Sequence, residues 1–546
     1  MDLHDMARAW LDQDPDPATR SELERLIETN DVELADCFAG RLHFGTAGLR
    51  GPLGPGPNRM NRVVVLQSAA GLARYLTEHF APECSVVIGY DARHNSDVFA
   101  HDTASIMQGA GVRAFVLPRP LPTPVLAFAI RHLGASAGVM VTASHNPPQD
   151  NGYKVYLEDG CQIVPPVDKE IAAMIDSVAS SMRVDELPRN DGWQTLDQSI
   201  VHNYAERALE ILGPDEVDRR ADVVSVITPM HGVGGRLLEQ LLTDAGFAPC
   251  ARVDAQFDPD PDFSTVAFPN PEEPGAMDLA LATAERVRPD VIVANDPDAD
   301  RCAIGIPTPG GDYRMLSGDE VGYALGWWAS RRDSSRSTLA QSLVSGGMLK
   351  AIADSSTLDY QQTLTGFKWI GRIPTLRFGY EEALGYCVDP ETVRDKDGIT
   401  AALAVVDLIA ELKADSRSIL DLLDDLAREH GLYATRQVSL RVADLSTIRD
   451  IMDSLRSQPP ATVGGRTVET IVDLQQGTDL PPTDGLVLTL AGQGRIIVRP
   501  SGTEPKIKAY LQVVVQVGSS IDDARETAER QLDDLADDVG QWFSRE

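Results

Sequence analysis

The sequence predicts an α/β protein of several domains, with polar loops at the ends of buried strands. Three observations support this. First, "SVVIGYDAR", "AGVMVTASHN", "ADVVSVITPMHGVGG" and "DVIVANDPDADR" each place an apolar, β-branched-rich run before a polar or Gly-bearing turn. Second, helical patterns follow such runs, at residues 96–108 and 235–245. Strand, loop and helix therefore alternate, as in layered sheets whose largely parallel strands are buried on both faces. Third, at 546 residues the chain exceeds what one core serves and should divide into roughly three to five domains.

Taken in order, the chain opens on "MDLHDMARAWLDQDP", which is acidic and helix-like rather than basic then apolar, so no signal peptide is expected. "ELPRNDGWQTLDQS" reads as a linker before a helix at residues 200–212. "PTPGGDY" punctuates the chain before the helix "GDEVGYALGWWAS". "AREHGLYATRQVSLRV" breaks a helix and enters a strand near Gln437. Beyond it, "STIRDIMDSLRSQ", "DGLVLTL", "GRIIVRP", "KIKAYLQVVVQV" and a long acidic helix make a mainly antiparallel α+β domain. The expected divisions are three α/β domains at 1–204, 205–312 and 313–432, and an α+β domain at 433–546.

The formal net charge of −33 disfavours nucleic acid and anionic membranes, because counterion release needs clustered Lys and Arg. An anionic small substrate would have to be drawn in by local cations against the global field. Cys37, Cys84, Cys161, Cys250, Cys302 and Cys387 are scattered, without C-x-x-C or Cys/His clusters. That fits a reducing, cytoplasmic setting and argues against a disulfide scaffold or structural zinc. Nowhere do the roughly 18 consecutive apolar residues of a membrane span occur.

"NDPDADR" alternates Asp296, Asp298 and Asp300 directly after the strand "VIVA". Three carboxylates this close repel, so either some are protonated or a cation holds them together. All-oxygen ligands suit Mg²⁺, Mn²⁺ or Ca²⁺. An EF-hand fails, because its required Gly and Glu positions would be Arg301 and Pro307. A solvated acidic turn is the plain alternative. "RPSGTEPKIKAY" offers the Arg499 guanidinium, the Ser501 and Thr503 hydroxyls, a backbone freed by Gly502, and Lys508. That is a phosphate cradle on chemistry alone, though an ordinary turn between strands would also account for it. "FGTAGLRG" could wrap a phosphate or simply turn, and the adjacent Glu381 and Glu382 of "FGYEEALGY" could read sugar hydroxyls or be solvated.

"TASHNPPQDNGYKVY", residues 142–156, reads as a stiff polar loop at a strand's end. The chain has neither a Walker A nor a kinase signature, so a nucleotide phosphoryl donor is not indicated. Ser144 can be the donor if it carries a phosphate itself; capping a helix is its ordinary alternative role.

These motifs, with "TPMHGVGG", "FPNPEEP", "LTGFKWIG" and "DKDGI" in the same order, resemble the α-D-phosphohexomutase superfamily almost end to end. The resemblance implies three similar α/β domains with mixed sheets plus a carboxy-terminal domain like the TATA-binding-protein fold, around a central cleft. It implies that Ser144 is the catalytic phosphoserine, with Mg²⁺ held by its phosphate and by Asp296, Asp298 and Asp300. Arg50, His145 and Arg301 would neutralise and position the moving phosphoryl group, and Lys154 would be a general acid/base. Glu381 would read sugar hydroxyls. Lys396, Arg499, Ser501, Gly502, Thr503 and Lys508 would hold the phosphate that is not reacting.

The implied reaction interconverts sugar 1-phosphate and 6-phosphate, of glucose or mannose, through a sugar bisphosphate that also serves as activator. The partner is a small phosphosugar, and the protein a monomer or small homo-oligomer. In one respect the sequence departs from hexose-specific relatives: Ala383 stands where many have Ser. With the form of "FPNPEEP" and "LTGFKWIG", this is similar to the subgroup that includes phosphopentomutases, which is the alternative reading. A metal-dependent sugar phosphatase is the rival from another class.

Overall fold

The computed structural model describes all residues except 1, 30, 81, 214–216, 333, 443–444, 502–505 and 544–546. It forms two compact units, one of residues 1–316 and 367–411, the other of 317–366 and 412–546. No helix among the described residues is long and apolar enough to cross a membrane.

The first unit holds two mixed sheets. One runs in the order Leu49–Pro52, Asp150–Leu157, Ala137–Val141, Ser85–Tyr90, Arg113–Val116, Gln194–Thr195. Its first two pairings are antiparallel and the remainder parallel. Ser85–Tyr90 and Ala137–Val141 are buried along their whole length, as expected of parallel strands covered by helices on both faces. The helices Arg62–Phe80, Ser96–Gly109 and Thr123–Leu133 supply that cover. The second sheet runs Tyr313–Met315, Ala303–Pro307, Val291–Ala294, Ser225–Thr228, Ala251–Arg252, with fully buried strands at Val291–Ala294 and Ser225–Thr228. In both sheets the polar loops leave the carboxyl ends of central strands, where ligands of α/β proteins bind.

One expectation is corrected here. Residues 142–156 do not form one loop. The loop ends by Gln149, and Asp150–Leu157 is a strand paired with Ala137–Val141, Met140 opposite Lys154. Burial decides it: Tyr153, Val155 and Tyr156 all reach the core, and the Asn151–Gly152 pair is absorbed into the strand.

In the second unit, Thr338–Ser342 and Asp359–Thr363 pair in parallel under the helix Met348–Ser355, which packs on the helix Gly318–Ser330, whose ends match the sequence reading. The carboxy-terminal sheet is antiparallel, ordered Leu432–Arg441, Lys506–Val515, Gly494–Pro500, Leu486–Leu490, Arg466–Asp473, Thr462–Val463. The helices Leu445–Ser457 and Ile521–Phe543 close its core through Ile448, Met452, Leu532 and Leu535. The strand expected near Gln437 begins earlier, at Leu432, because Gly431 at φ 93° stops the preceding helix abruptly and pairing with Val515 starts at once.

Candidate active site

Ser144 lies three residues past the strand Ala137–Val141, with a left-handed backbone at φ 51°. A non-glycine residue holds that conformation only where its surroundings enforce it. Here Thr142 Oγ1 accepts the Ser144 amide at 2.9 Å. The side chain is buried, its Oγ donating to Asp296 Oδ2 at 2.8 Å with His145 Nδ1 at 3.1 Å. Burial, with Arg301 and Arg50 nearby, holds the His145 ring well below its usual pKa, so it is neutral.

Asp296, Asp298 and Asp300 follow the strand Val291–Ala294 and are essentially inaccessible, at 0%, 0% and 1% exposure. Their oxygens converge to within 4.8 Å. The repulsion expected from the sequence is met by cations brought from elsewhere in the unit. Lys154 Nζ lies 2.7 Å from Asp298 Oδ2 and 3.1 Å from Asp300 Oδ2, and Lys396 Nζ lies 3.1 Å from Asp300 Oδ2. For Asp298, burial and the Asp300 charge oppose ionisation, but Lys154 and the Thr123 hydroxyl prevail and hold the carboxyl below its ordinary range. Asp300 is likewise held far down by Lys154, Lys396 and Arg301, against burial. Asp296 goes the other way: burial and its two acidic neighbours push it well up.

These residues suit a divalent cation. Among the described residues, Asp298 Oδ1 and Asp300 Oδ1 are buried acceptors without a hydrogen-bond partner, and an Asp296 carboxyl pushed toward protonation would exchange its proton for metal. The donors are hard oxygens, as Mg²⁺ prefers.

Two further loops abut the metal loop. The hairpin Leu376–Glu381 with Gly385–Cys387 places Gly385 in a bridge with Arg301, and Cys302 donates to Leu384 O at 3.0 Å. A Cβ at Gly385 would lie 2.3 Å from Lys396 Cδ, so the glycine makes room for that lysine to reach Asp300. Against burial, the charges of Asp296 and Asp300 hold the Arg301 pKa up and those of Asp300 and Asp395 that of Lys396, and Glu381, half-buried at the end of its strand, adds to both. Arg301 Nη1 also lies 3.6 Å from Glu272 of "FPNPEEP". Arg50 enters on Leu49–Pro52, opposite Gly152, and donates to Asn146 Oδ1 at 3.1 Å. That approach needs Gly48, at φ 76°, where a Cβ would fall 1.8 Å from Tyr153 O.

The first unit therefore collects Arg50, Ser144, His145, Lys154, Asp296, Asp298, Asp300, Arg301 and Lys396 around one cluster. Lys396, expected with the non-reacting phosphate, stands at Asp300. In the second unit, Arg499 and Lys508 face each other in register, and the Ser501 amide donates to Lys506 O at 2.8 Å. Lys508 Nζ lies 3.4 Å from Gln437 Oε1. Gly502 and Thr503 lie outside the described residues.

Sequence reasoning missed Thr123, whose hydroxyl donates to Asp298 Oδ2 at 2.6 Å and whose amide donates to Asp298 O at 2.9 Å. Its signal was a threonine between two prolines in "PLPTPV", at the start of the helix Thr123–Leu133.

Comparison with known proteins identifies the family. Four family descriptions match in order: "Phosphoglucomutase/phosphomannomutase, alpha/beta/alpha domain I" over residues 41–182, domain II over 202–310, domain III over 317–429, and the "C-terminal domain" over 441–529. A "Probable phosphomannomutase" of Haemophilus influenzae is 49% identical over 83% of this chain and 92% of its own. The human phosphopentomutase is 34% identical over 98% of this chain and 94% of its own. The structure of a Paramecium phosphoglucomutase, parafusin, aligns with a TM-score of 0.72 at 18% identity, over 93% of this chain and 96% of that one; at that identity the likeness concerns the fold.

Proposed function

The chain belongs to the phosphoglucomutase/phosphomannomutase family and is a phosphosugar mutase, and we propose that it interconverts the 1- and 6-phosphates of glucose and mannose through a phosphorylated Ser144. The observation that carries this reading is the buried Ser144 hydroxyl, 2.8 Å from Asp296 in a cluster of three carboxylates.

In the proposed cycle, phosphorylated Ser144 gives its phosphoryl group to the free hydroxyl of a sugar monophosphate. The sugar bisphosphate so formed turns over and returns its other phosphoryl group to Ser144, so no nucleotide is consumed. Phosphoryl transfer of this kind needs little beyond positioning and charge stabilisation. Asp296, Asp298, Asp300 and the Ser144 phosphate would hold Mg²⁺, which when bound offsets negative charge on the moving group. Arg50, Arg301 and neutral His145 would orient that group. Lys154 carries its proton, because Asp298 and Asp300 outweigh burial. In each half of the cycle it would give that proton to the departing oxygen, Ser144 Oγ in the first and the sugar oxygen in the second, and be restored by the proton of the attacking hydroxyl. Glu381 would accept hydrogen bonds from sugar hydroxyls. Arg499, Ser501, Gly502, Thr503 and Lys508 would bind the idle phosphate, while Lys396 would offset charge at Asp300.

A pentose reading has its own support. Ala383 offers no hydroxyl beside Glu381, and the human phosphopentomutase aligns over nearly the whole chain. The test is a comparison of glucose 1-phosphate, mannose 1-phosphate and ribose 1-phosphate, each primed with its bisphosphate, with inorganic phosphate measured in parallel. Hexose turnover with lesser pentose turnover is expected. Turnover of ribose 1-phosphate alone would transfer the assignment to a phosphopentomutase, and release of inorganic phosphate without isomer formation would make it a phosphatase.

A further inference from the structure

The segment "DARHNS" follows the strand Ser85–Tyr90 as the phosphoserine loop follows its neighbour, yet none of the roles above falls to it. At its centre Arg93 is 4% exposed. Its guanidinium donates to four backbone carbonyls, three in the Ser144 loop and one on Asp150, the first residue of the strand that follows. Nη2 reaches Ser144 O and Asn146 O, each at 2.6 Å, and Nη1 reaches Pro147 O at 2.8 Å and Asp150 O at 3.1 Å. On its other edge Nε lies 3.3 Å from Asp91 Oδ2. Asp91 is itself tied down by the Arg93 amide at 3.0 Å and the Ser96 hydroxyl at 2.6 Å. The ring of Phe263 covers the guanidinium, centroid 4.8 Å from Cζ.

An irregular loop this deeply buried turns several carbonyls inward, where each needs a donor. A guanidinium is suited to several at once, because its donors point outward in a rigid plane. Ser144 most needs such support, since its φ of 51° is disfavoured for any side chain with a Cβ. The hydrogen bond to its own carbonyl oxygen acts directly on that conformation, and the conformation sets where Oγ points.

We infer that Arg93 is a positioning residue for phosphoryl transfer: it holds the backbone of residues 144–150 as a template and so aims Ser144 Oγ at the carboxylate cluster. This rests on the reading of Ser144 as the phosphoryl carrier. It adds a residue whose contacts are with backbone carbonyls of residues 144–150, Asp91 and Phe263, and which would act through Ser144. Asp91 fixes the guanidinium from behind, and Phe263 keeps water off its face.

The test is Arg93→Lys in the full chain, which keeps a cation beside Asp91 but replaces the planar fork by one ammonium. Three quantities are read: Ser144 phosphate per chain by intact mass, the single-turnover rate of transfer from phosphorylated Ser144 to sugar phosphate, and the Kd of the sugar phosphate. The expected result is a transfer rate lower by about a hundredfold, as a misplacement near 1 Å produces, with Kd within about twofold of wild type. A purely structural role would lower the thermal midpoint and the phosphorylated fraction but leave the transfer rate per phosphorylated chain unchanged, and that result overturns the inference. If Arg93→Lys does not fold at assay temperature, Phe263→Leu serves instead, since it loosens the guanidinium without removing a hydrogen bond to the loop. A transfer rate about threefold lower with unchanged Kd supports the inference, and an unchanged rate overturns it. Wild-type protein that turns over phosphosugars without phosphate on Ser144 overturns the carrier reading and this inference together. Phosphorylated wild type beside an unimpaired variant overturns this inference alone.

Discussion

Thr123 grips Asp298 twice, its amide on the aspartate's own carbonyl at 2.9 Å and its hydroxyl on Oδ2 at 2.6 Å. Thr123 and Lys154 both hold Oδ2, and among the described residues Oδ1 has no hydrogen-bond partner. Partners of this kind commonly set metal affinity. Thr123→Val, close in shape, should weaken Mg²⁺ binding by about ten- to a hundredfold in a calorimetric titration of the whole chain. Chelator should abolish turnover in wild type, and Mg²⁺ should restore it. An unchanged Mg²⁺ affinity in Thr123→Val would remove this threonine from the metal site.

Ser144→Ala leaves the carboxylate cluster intact but removes the oxygen that would carry the phosphoryl group. Mutase activity should fall by about a thousandfold or more, and phosphate should disappear from the protein by mass spectrometry. A phosphorylated Ser144→Ala chain would locate the carrier at another residue.

Arg499 ends the strand Gly494–Pro500, with Lys508 opposite it. If this loop binds the idle phosphate, Arg499→Ala should raise KM by about ten- to a hundredfold, the worth of a charged bidentate contact, and should lower kcat less. Steady-state kinetics with sugar 1-phosphate decides; an unmoved KM would mean that the idle phosphate binds elsewhere.

Ala383 lies two residues past Glu381, half-buried. One neutral hydrogen bond contributes about 0.5–1.5 kcal/mol. Ala383→Ser should therefore shift the ratio of kcat/KM values toward hexose over pentose phosphates by about three- to tenfold. A ratio that does not move would release this position from any part in sugar choice.

Tyr204 Oη contacts both carboxylate oxygens of buried Asp397, at 3.0 and 2.9 Å, while Asp397 accepts the amides of Ile399 and Thr400 at the start of the helix Gly398–Ala414. Burial pushes the Asp397 carboxyl up to about 6, against these donors. Its proton is bound more tightly in the folded state, so the stability this provides is full at low pH and is lost as pH rises through about 6. The tyrosine favours the ionised form. Tyr204→Phe should thus cost about 1.5–3 kcal/mol at pH 8 and less at pH 5, measured by denaturant unfolding. An equal cost at both pH values would show that the hydrogen bond does not distinguish the two forms.

The sequence alone determined the strand-and-loop grammar, because an apolar run and the polar turn after it are local: Ala137–Val141 before Ser144, Val291–Ala294 before Asp296. Residue type disclosed the oxygen-rich cluster in the same way, and the helix Gly318–Ser330 could be read to its ends from its composition and the Pro/Gly punctuation before it. Tertiary structure decided how the charges are balanced. Lys154 meets Asp298 across 144 residues of sequence, and it can do so only because residues 150–157 became a strand rather than part of a loop, a choice made by burial of Tyr153 and Val155. Arg93 is the sharper case. Its four acceptors are backbone carbonyls, which every residue possesses, so nothing in the identities of residues 144–150 could announce the guanidinium that holds them.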